Sequence, residues 1–279
     1  MHVLITGGAG FIGSHLVDLH LARGDQVHVV DDLSTGVRAN IVAHDTNPNF
    51  RFDQADVLTW DRLGHVVGWA DRIYHLAAVV GVYRVIAEPT KVLATNIAGC
   101  ERLLRAAQEG GWKPQVVLAS SSEVYGHNDE EVLHEDQDLV VSSRAGTRWG
   151  YSVSKIADEA LGLSYAQRFG IPAVIGRFFN TIGPRQIGRY GMVVPRFVAQ
   201  AVANEPITVF GGGEQTRSFC DVRDTVVALD ALATEGRRFT QAYAACPVCS
   251  PRSTWASGGS SRSIRRRTAP ASPSARRRS

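Results

Sequence analysis

Lysine, methionine and cysteine are scarce in this chain: 3 lysines stand against 27 arginines, and 2 methionines and 4 cysteines are spread over 279 residues. Cys100, Cys220, Cys246 and Cys249 are too few and too scattered for a disulfide framework, which suits a reducing compartment. Cys246-x-x-Cys249 has the spacing of half a zinc site, but no second ligand pair follows it, so no metal centre is expected. Nowhere do ~18 apolar residues run together, and no basic region precedes an apolar stretch in Met1-His2-Val3-Leu4-Ile5-Thr6-Gly7-Gly8. Neither a membrane span nor a leader is therefore expected, and the chain reads as soluble and cytoplasmic. It contains no internal repeat. Acidic residues are absent from Cys246 onward, where 8 arginines fall; the first 245 residues carry 22 basic against 27 acidic side chains, a net of −5 beneath the overall +3. Basicity belongs to the tail, so nucleic acid is not an expected partner except non-specifically through those arginines.

At 44% hydrophobic and 20% charged residues, the chain is long enough for one large α/β domain with a smaller appendage. Residues 2–6 form an apolar run that leads into Gly7-Gly8-Ala9-Gly10-Phe11-Ile12-Gly13, and residues 14–23 have helical spacing. Strand, glycine turn and helix in this order suit a dinucleotide. Gly7, Gly10 and Gly13 permit the tight turn, the approach of backbone to a pyrophosphate and close helix packing, and the helix amino terminus turns its free N–H groups to the phosphates. A second strand, residues 26–30, ends in Asp31-Asp32-Leu33-Ser34-Thr35-Gly36. A carboxylate at Asp31 accepts hydrogen bonds from ribose hydroxyls and repels a 2′-phosphate, which favours NAD over NADP; an ordinary turn aspartate is the alternative. Residues 50–57 read as the next strand, with Asp56 and Val57 where an adenine edge would lie.

Residues 72–78 read as a buried strand that ends in the small residues Ala77 and Ala78, with His75 as a core histidine. Residues 89–110 are helical, and their Asn96 either bonds a neighbouring backbone or is surface polarity. Residues 115–119 form another buried strand running into Ser120-Ser121-Ser122-Glu123-Val124-Tyr125-Gly126, at the strand end where such folds open their ligand crevice. About thirty residues on, Tyr151-Ser152-Val153-Ser154-Lys155 lies in a helical stretch with no proline before Pro172, so Tyr151 and Lys155 share a face. An ammonium beside a phenol, together with a nicotinamide cation, favours the phenolate and makes a base. The pair alone occurs in many helices; the serine turn and glycine turn give it its context. Residues 171–177 read as a sixth strand and 178–185 as a loop leaving it.

These motifs closely resemble those of the extended short-chain dehydrogenase/reductases, specifically the NAD-dependent nucleotide-sugar epimerases, dehydratases and decarboxylases. The resemblance covers roughly residues 2–243 and rests also on His75-Leu76-Ala77-Ala78, Arg177-Phe178-Phe179-Asn180, Gly183-Pro184-Arg185-Gln186 and Gln215-Thr216-Arg217-Ser218-Phe219. It implies a doubly wound α/β (Rossmann) domain over 1–177 and a smaller, incomplete substrate domain over 178–243 with segments returning to the first. NAD would lie on Gly7, Gly10, Phe11, Ile12, Gly13, Asp31, Asp32, Ser34, Thr35 and Gly36, then on Asp56, Val57, Leu76, Ala77, Ala78, Asn96, Tyr151 and Lys155. Tyr151 matches the base that takes the sugar 4-hydroxyl proton, Lys155 the residue that holds the nicotinamide ribose, and Ser121 the hydroxyl on the 4-oxygen. Asn180, Arg185 and Arg217 match diphosphate ligands, with Val194 also in the substrate set; a homodimer through helices near 90–110 and 149–169 is a family trait.

The branches of the family separate after a shared 4-keto sugar. Dehydratases carry an Asp-Glu pair in the serine turn, whereas this chain has Ser122-Glu123, which argues against dehydration. Glu123 with Arg148-Trp149 looks like UDP-glucuronate decarboxylases, in which a β-keto acid sheds carbon dioxide. Gly188-Arg189-Tyr190-Gly191-Met192-Val193-Val194-Pro195-Arg196-Phe197 looks more like 4-epimerases. The motifs favour a UDP-glucose 4-epimerase-like activity narrowly, with decarboxylation as the alternative and a truncated, cofactor-binding but weakly active member as a third. From 244 to 279 the resemblance stops. The last 34 residues hold nine serines, eight arginines and four prolines, a composition expected to be disordered, and a shifted reading frame or truncation in a GC-rich gene accounts for it most simply.

Overall fold

A computed structural model describes residues 1–126, 133–141, 149–188, 191–210, 212–213, 216–235 and 242–244. Its strands are β1 (His2–Thr6), β2 (Gln26–Asp31), β3 (Phe50–Gln54), β4 (Arg72–His75), β5 (Gln115–Ser121), β6 (Ala173–Phe178), β7 (Asn180–Ile182), β8 (Phe219–Asp221) and β9 (Ala242–Ala244). The helices are α1 (Phe11–Ala22), α2 (Leu63–Trp69), α3 (Val82–Ala87), α4 (Pro89–Glu109), α5 (Gly150–Phe169), α6 (Val193–Val202) and α7 (Val222–Glu235). Seven strands make one parallel sheet in the order β3-β2-β1-β4-β5-β6-β9, and β7 pairs with β8 in a second, two-stranded sheet.

Alternate residues of the central strands enter opposite layers, so the strands are apolar on both faces. Val3 and Ile5 pack with Leu16 and Val17 of α1 and Val226 and Leu229 of α7 on one side. Leu4 packs with Val67 of α2 and Leu103 and Leu104 of α4 on the other. This is a doubly wound, Rossmann-like α/β fold. Its strand order reverses between β1 and β4, which opens a crevice at their carboxyl ends. A buried polar cluster docks α7 beneath the sheet: Asp230 accepts from Arg72 Nη1 at 2.9 Å, Tyr74 Oη at 3.0 Å and Arg23 Nη1 at 2.5 Å.

Several boundaries differ from the sequence expectation. Helix α1 starts at Phe11, three residues earlier, because Gly10 in extended backbone ends the glycine turn and the chain coils at once. β3 stops at Gln54, since Asp56 bends the chain by accepting from Leu58 N at 2.8 Å through Oδ1. The expected loop 178–185 contains β7, which registers Asn180 opposite Phe219. No described helix is long and apolar enough to cross a membrane. The tail from 245, including Cys246 and Cys249, lies outside the described residues, as do Arg148, Arg189, Tyr190 and Gln215.

Candidate active site

The glycine turn after β1 and the chain after β4 meet at the reversal of strand order. Gly7 has φ +73°, and a Cβ on it would lie 2.7 Å from the Ala77 amide nitrogen. A Cβ on Gly13 would strike the Gly7 carbonyl oxygen, whereas one on Gly10 would meet only that oxygen, at 3.1 Å, and otherwise project into open space. Gly7 and Gly13 thus hold the turn closed, and Gly10 leaves a cradle that a side chain would fill. Helix α1 has no side-chain N-cap, so its first N–H groups, which lack intrahelical acceptors, are available to an anion. These residues fit a dinucleotide pyrophosphate.

Asp31 ends β2, buried, and accepts from Ala9 N at 3.0 Å and Leu33 N at 2.8 Å. Burial pushes its carboxyl up, against the pull of those two amides. Asp32 accepts from Ser34 N at 2.9 Å, which folds Ser34 and Thr35 toward the crevice. Gly36 departs from expectation: it does not line the crevice but backs the Asp31 carboxylate, 2.7 Å from where its Cβ would be. Asn96 likewise stands behind the wall, 2% exposed. Its Oδ1 accepts from Val79 N at 2.7 Å, and its Nδ2 donates to Val79 O at 3.2 Å and Ser154 Oγ at 3.1 Å, bracing the loop after β4 against α5. His75 is a core histidine as expected, 3% exposed, with Nδ1 2.8 Å from Thr6 Oγ1.

Strand β5 delivers Ser121 to the crevice, and a single 3-10 turn, Ser122–Tyr125, presents Glu123 beside it. Ser152 Oγ donates to Glu123 O at 2.7 Å and so ties this turn to the first turn of α5. Tyr151 and Lys155 project from α5 into the same cavity, with Lys155 Nζ 5.9 Å from the centre of the Tyr151 ring. Opposing effects act on the phenol. Burial pushes its pKa up, Lys155 and the Ser121 hydroxyl pull it down, and the protein's own groups leave it above the ordinary tyrosine value. The Lys155 ammonium is instead held by Asp158, at 3.0 Å; burial alone would lower its pKa, but the Asp158 carboxylate raises it.

Sequence reasoning missed Asp158 and Glu159. Glu159 takes Arg177 Nε at 2.9 Å and Nη2 at 2.8 Å, and Ser120 Oγ at 2.5 Å, locking α5 to β5 and β6 beneath the reactive groups. Their one sequence signal is spacing: Asp158 falls on the Tyr151–Lys155 face, seven residues after the tyrosine.

On the far wall, Asn180, Arg185, Val194 and Arg217 all line the same cavity, of about 670 Å³. Asn180 Nδ2 donates to Ser218 O at 3.0 Å, and Arg217 Nη1 to Thr216 O at 2.7 Å. Arg185, whose own φ is +67°, reaches back to Asp18 of α1 in a 2.8 Å ion pair that its sequence role did not foresee. Asp56, Val57, Leu76, Ala77 and Ala78 line the same cavity. Among the described residues no group of His, Cys, Asp and Glu side chains could hold a metal ion.

The model of the NAD dependent epimerase/dehydratase family matches residues 3–244. The chain belongs to this family. UDP-glucuronic acid decarboxylase 4 of Arabidopsis thaliana is 40% identical over 236 residues, 83% of this chain and 51% of that protein. UDP-N-acetyl-alpha-D-glucosaminuronate decarboxylase of Bacillus cytotoxicus is 37% identical over 83% of this chain and 71% of its own length. Among solved structures, UDP-glucuronic acid 4-epimerase of Bacillus cereus, in complex with UDP-glucuronic acid and NAD, is 33% identical with a TM-score of 0.74, over 83% of this chain and 72% of that one. The chain spans about half the length of the first curated relatives it matches.

Proposed function

We propose that the chain binds NAD and decarboxylates a UDP-linked hexuronic acid through a 4-keto intermediate. The observation that carries this is the single carboxylate of the serine turn, Glu123, which faces the Tyr151 phenol across one cavity with no acidic residue beside it in the turn. The sequence motifs leaned narrowly toward a 4-epimerase, but the greater likeness to decarboxylases, 37–40% against 32–33% for the 4-epimerases of known structure, supports the decarboxylase.

In this reading residues 1–177 hold the cofactor, and 178–243 hold the nucleotide sugar. The turn Gly7–Gly13 and the first N–H groups of α1 take the pyrophosphate, Asp31 the adenosine ribose and Lys155 the nicotinamide ribose. Asn180, Arg185 and Arg217 take the sugar-nucleotide diphosphate, the arginines by charge-assisted hydrogen bonds. NAD held by residues 1–177 would supply the hydride acceptor for sugar C4 and the donor that later restores it. Tyr151 removes the 4-hydroxyl proton, and Ser121 bonds the same oxygen. The ketone at C4 is then β to the C6 carboxylate, so the C5–C6 bond breaks, carbon dioxide leaves, and its electron pair enters the C4–C5 enolate. Ser121 and the now protonated Tyr151 stabilise the enolate oxygen. Glu123, protonated from solvent, supplies the proton to C5, and Tyr151 gives its proton back to the 4-oxygen as the hydride returns to C4 and a UDP-pentose forms.

Epimerisation is the second reading, favoured by the segment 188–197, and it shares every residue up to the ketone. The test is product analysis by NMR and mass spectrometry after incubation with NAD and either UDP-glucuronate or UDP-glucose. A UDP-pentose from the acid supports decarboxylation, an inverted C4 at constant mass supports epimerisation, and no turnover by folded, NAD-loaded protein leaves the weakly active cofactor binder.

A further inference from the structure

Tyr151, Lys155 and Asp158 follow one another at four and three residues along α5, so their polar ends share one face. Lys155 and Asp158 are each 3% exposed. The Lys155 ammonium donates to Asp158 Oδ2 at 3.0 Å and stands 5.9 Å from the Tyr151 ring centre. Other elements contribute the rest of the surroundings. Cys100 of α4 faces the Asp158 carboxylate, His75 of β4 faces the ammonium, and Glu123 of the serine turn faces the phenol. His75 is neutral, its pKa pushed down to about 3 by burial and by Lys155. Cys100 is a thiol, held protonated by burial and by Asp158. The only anion bonded to the buried ammonium among the described groups is therefore Asp158, and a lysine without such a partner loses its proton readily when buried.

We propose that Asp158 is a positioning residue of this site: its buried carboxylate fixes the Lys155 ammonium and offsets its charge at the Tyr151 phenol. The strength of the base is set by three groups on one helical face, not by the tyrosine and lysine alone. This rests on Tyr151 being the base, and not on which sugar is turned over. The sign follows from charge. With Asp158 replaced by asparagine, a cation acts on the phenol without its counter-ion, so the phenolate forms at lower pH. The same change weakens the lysine's hold on its own proton, so the first proton leaves the coupled pair earlier by either route.

The test is a phenolate-absorbance titration of the full, NAD-loaded chain as wild type, Asp158→Asn and Asp158→Glu, with the Tyr151 signal identified by its loss in Tyr151→Phe. The midpoint in Asp158→Asn is expected to fall by about one pH unit or more, and Asp158→Glu to return it toward wild type. An unchanged midpoint in Asp158→Asn that keeps the wild-type circular dichroism and NAD binding overturns the proposal. The wild type supplies a second readout should that variant not fold. The chain has 3 lysines, so a spectrum of lysine-selectively 15N-labelled protein contains few ammonium signals. The one lost in Lys155→Arg should exchange slowly with water, and fast exchange would overturn the pairing. A shifted midpoint in a protein that converts no sugar upholds Asp158 and counts against the reaction; an unshifted one in a protein that does convert sugar counts against Asp158 alone.

Discussion

His75 gives the fold a built-in sensitivity to acid whose size follows from its surroundings. The ring is 3% exposed and bonded to Thr6, and burial, with the nearby Lys155 cation, pushes its pKa down to about 3. An unfolded histidine titrates near ~6.5. The folded state therefore holds the neutral ring while the unfolded state takes up a proton, so stability is intact above pH ~6.5 and is lost as pH falls toward the folded value. At pH 5 the loss relative to pH 8 is about 2 kcal/mol from this one group, growing by about 1.4 kcal/mol for each further unit until the folded pKa is reached. Urea unfolding followed by circular dichroism between pH 8 and about pH 4.5 measures it, with His75→Gln as the comparison. That variant is expected to be less stable at every pH, through lost packing and the altered bond to Thr6. Its slope of stability against pH should nevertheless be shallower than wild type by about one proton in this window. Parallel slopes in the two proteins would refute the reasoning, whatever the offset between them. His20 and His28, whose pKa values burial also lowers, add to both curves and cancel in the difference.

Gly13→Ala places a methyl against the Gly7 carbonyl and 2.8 Å from Gly8 Cα, all rigid backbone; isothermal titration should find NAD affinity reduced at least about tenfold, and wild-type affinity would contradict the closed turn. Asp230→Asn removes the anion facing buried Arg72 and Arg23 and can put an amide donor where Arg23 found an acceptor, so it should cost about 3 kcal/mol in urea unfolding at pH 7, a change under about 1 kcal/mol being the contrary result. Glu123→Gln removes the proposed C5 proton donor at an exposed position, so turnover of the hexuronate should drop about a hundredfold with NAD binding unchanged; equal turnover would remove Glu123 from the reaction.

The central strands were legible because a parallel sheet buried on both faces needs unbroken aliphatic runs, as in Val3-Leu4-Ile5 and Val116-Val117-Leu118. The glycine turn was legible because only glycine tolerates the contacts at Gly7 and Gly13. The three-residue strands β7 and β8 carry no period long enough to register, and they exist because each supplies the other's backbone partners. Buried ion pairs were the larger omission. Asp158, Glu159 and Asp230 look like the solvent face of a helix in sequence, and only the packing of α5 and α7 reveals that each is enclosed with a cation. Gly36 and Asn96, expected at the cofactor, stand one layer behind the cavity wall, against Asp31 and Val79. The branch of chemistry was the least legible, since every branch shares the ketone-forming groups and differs in which one or two side chains act next.

The most direct measurement of the proposed reaction places a carbon label at C6 of UDP-glucuronate and follows it after incubation with the NAD-loaded chain. Decarboxylation predicts that the label leaves as carbon dioxide in step with the appearance of an unlabelled UDP-pentose. Label retained in a hexuronate with inverted C4 would contradict it and make the chain an epimerase.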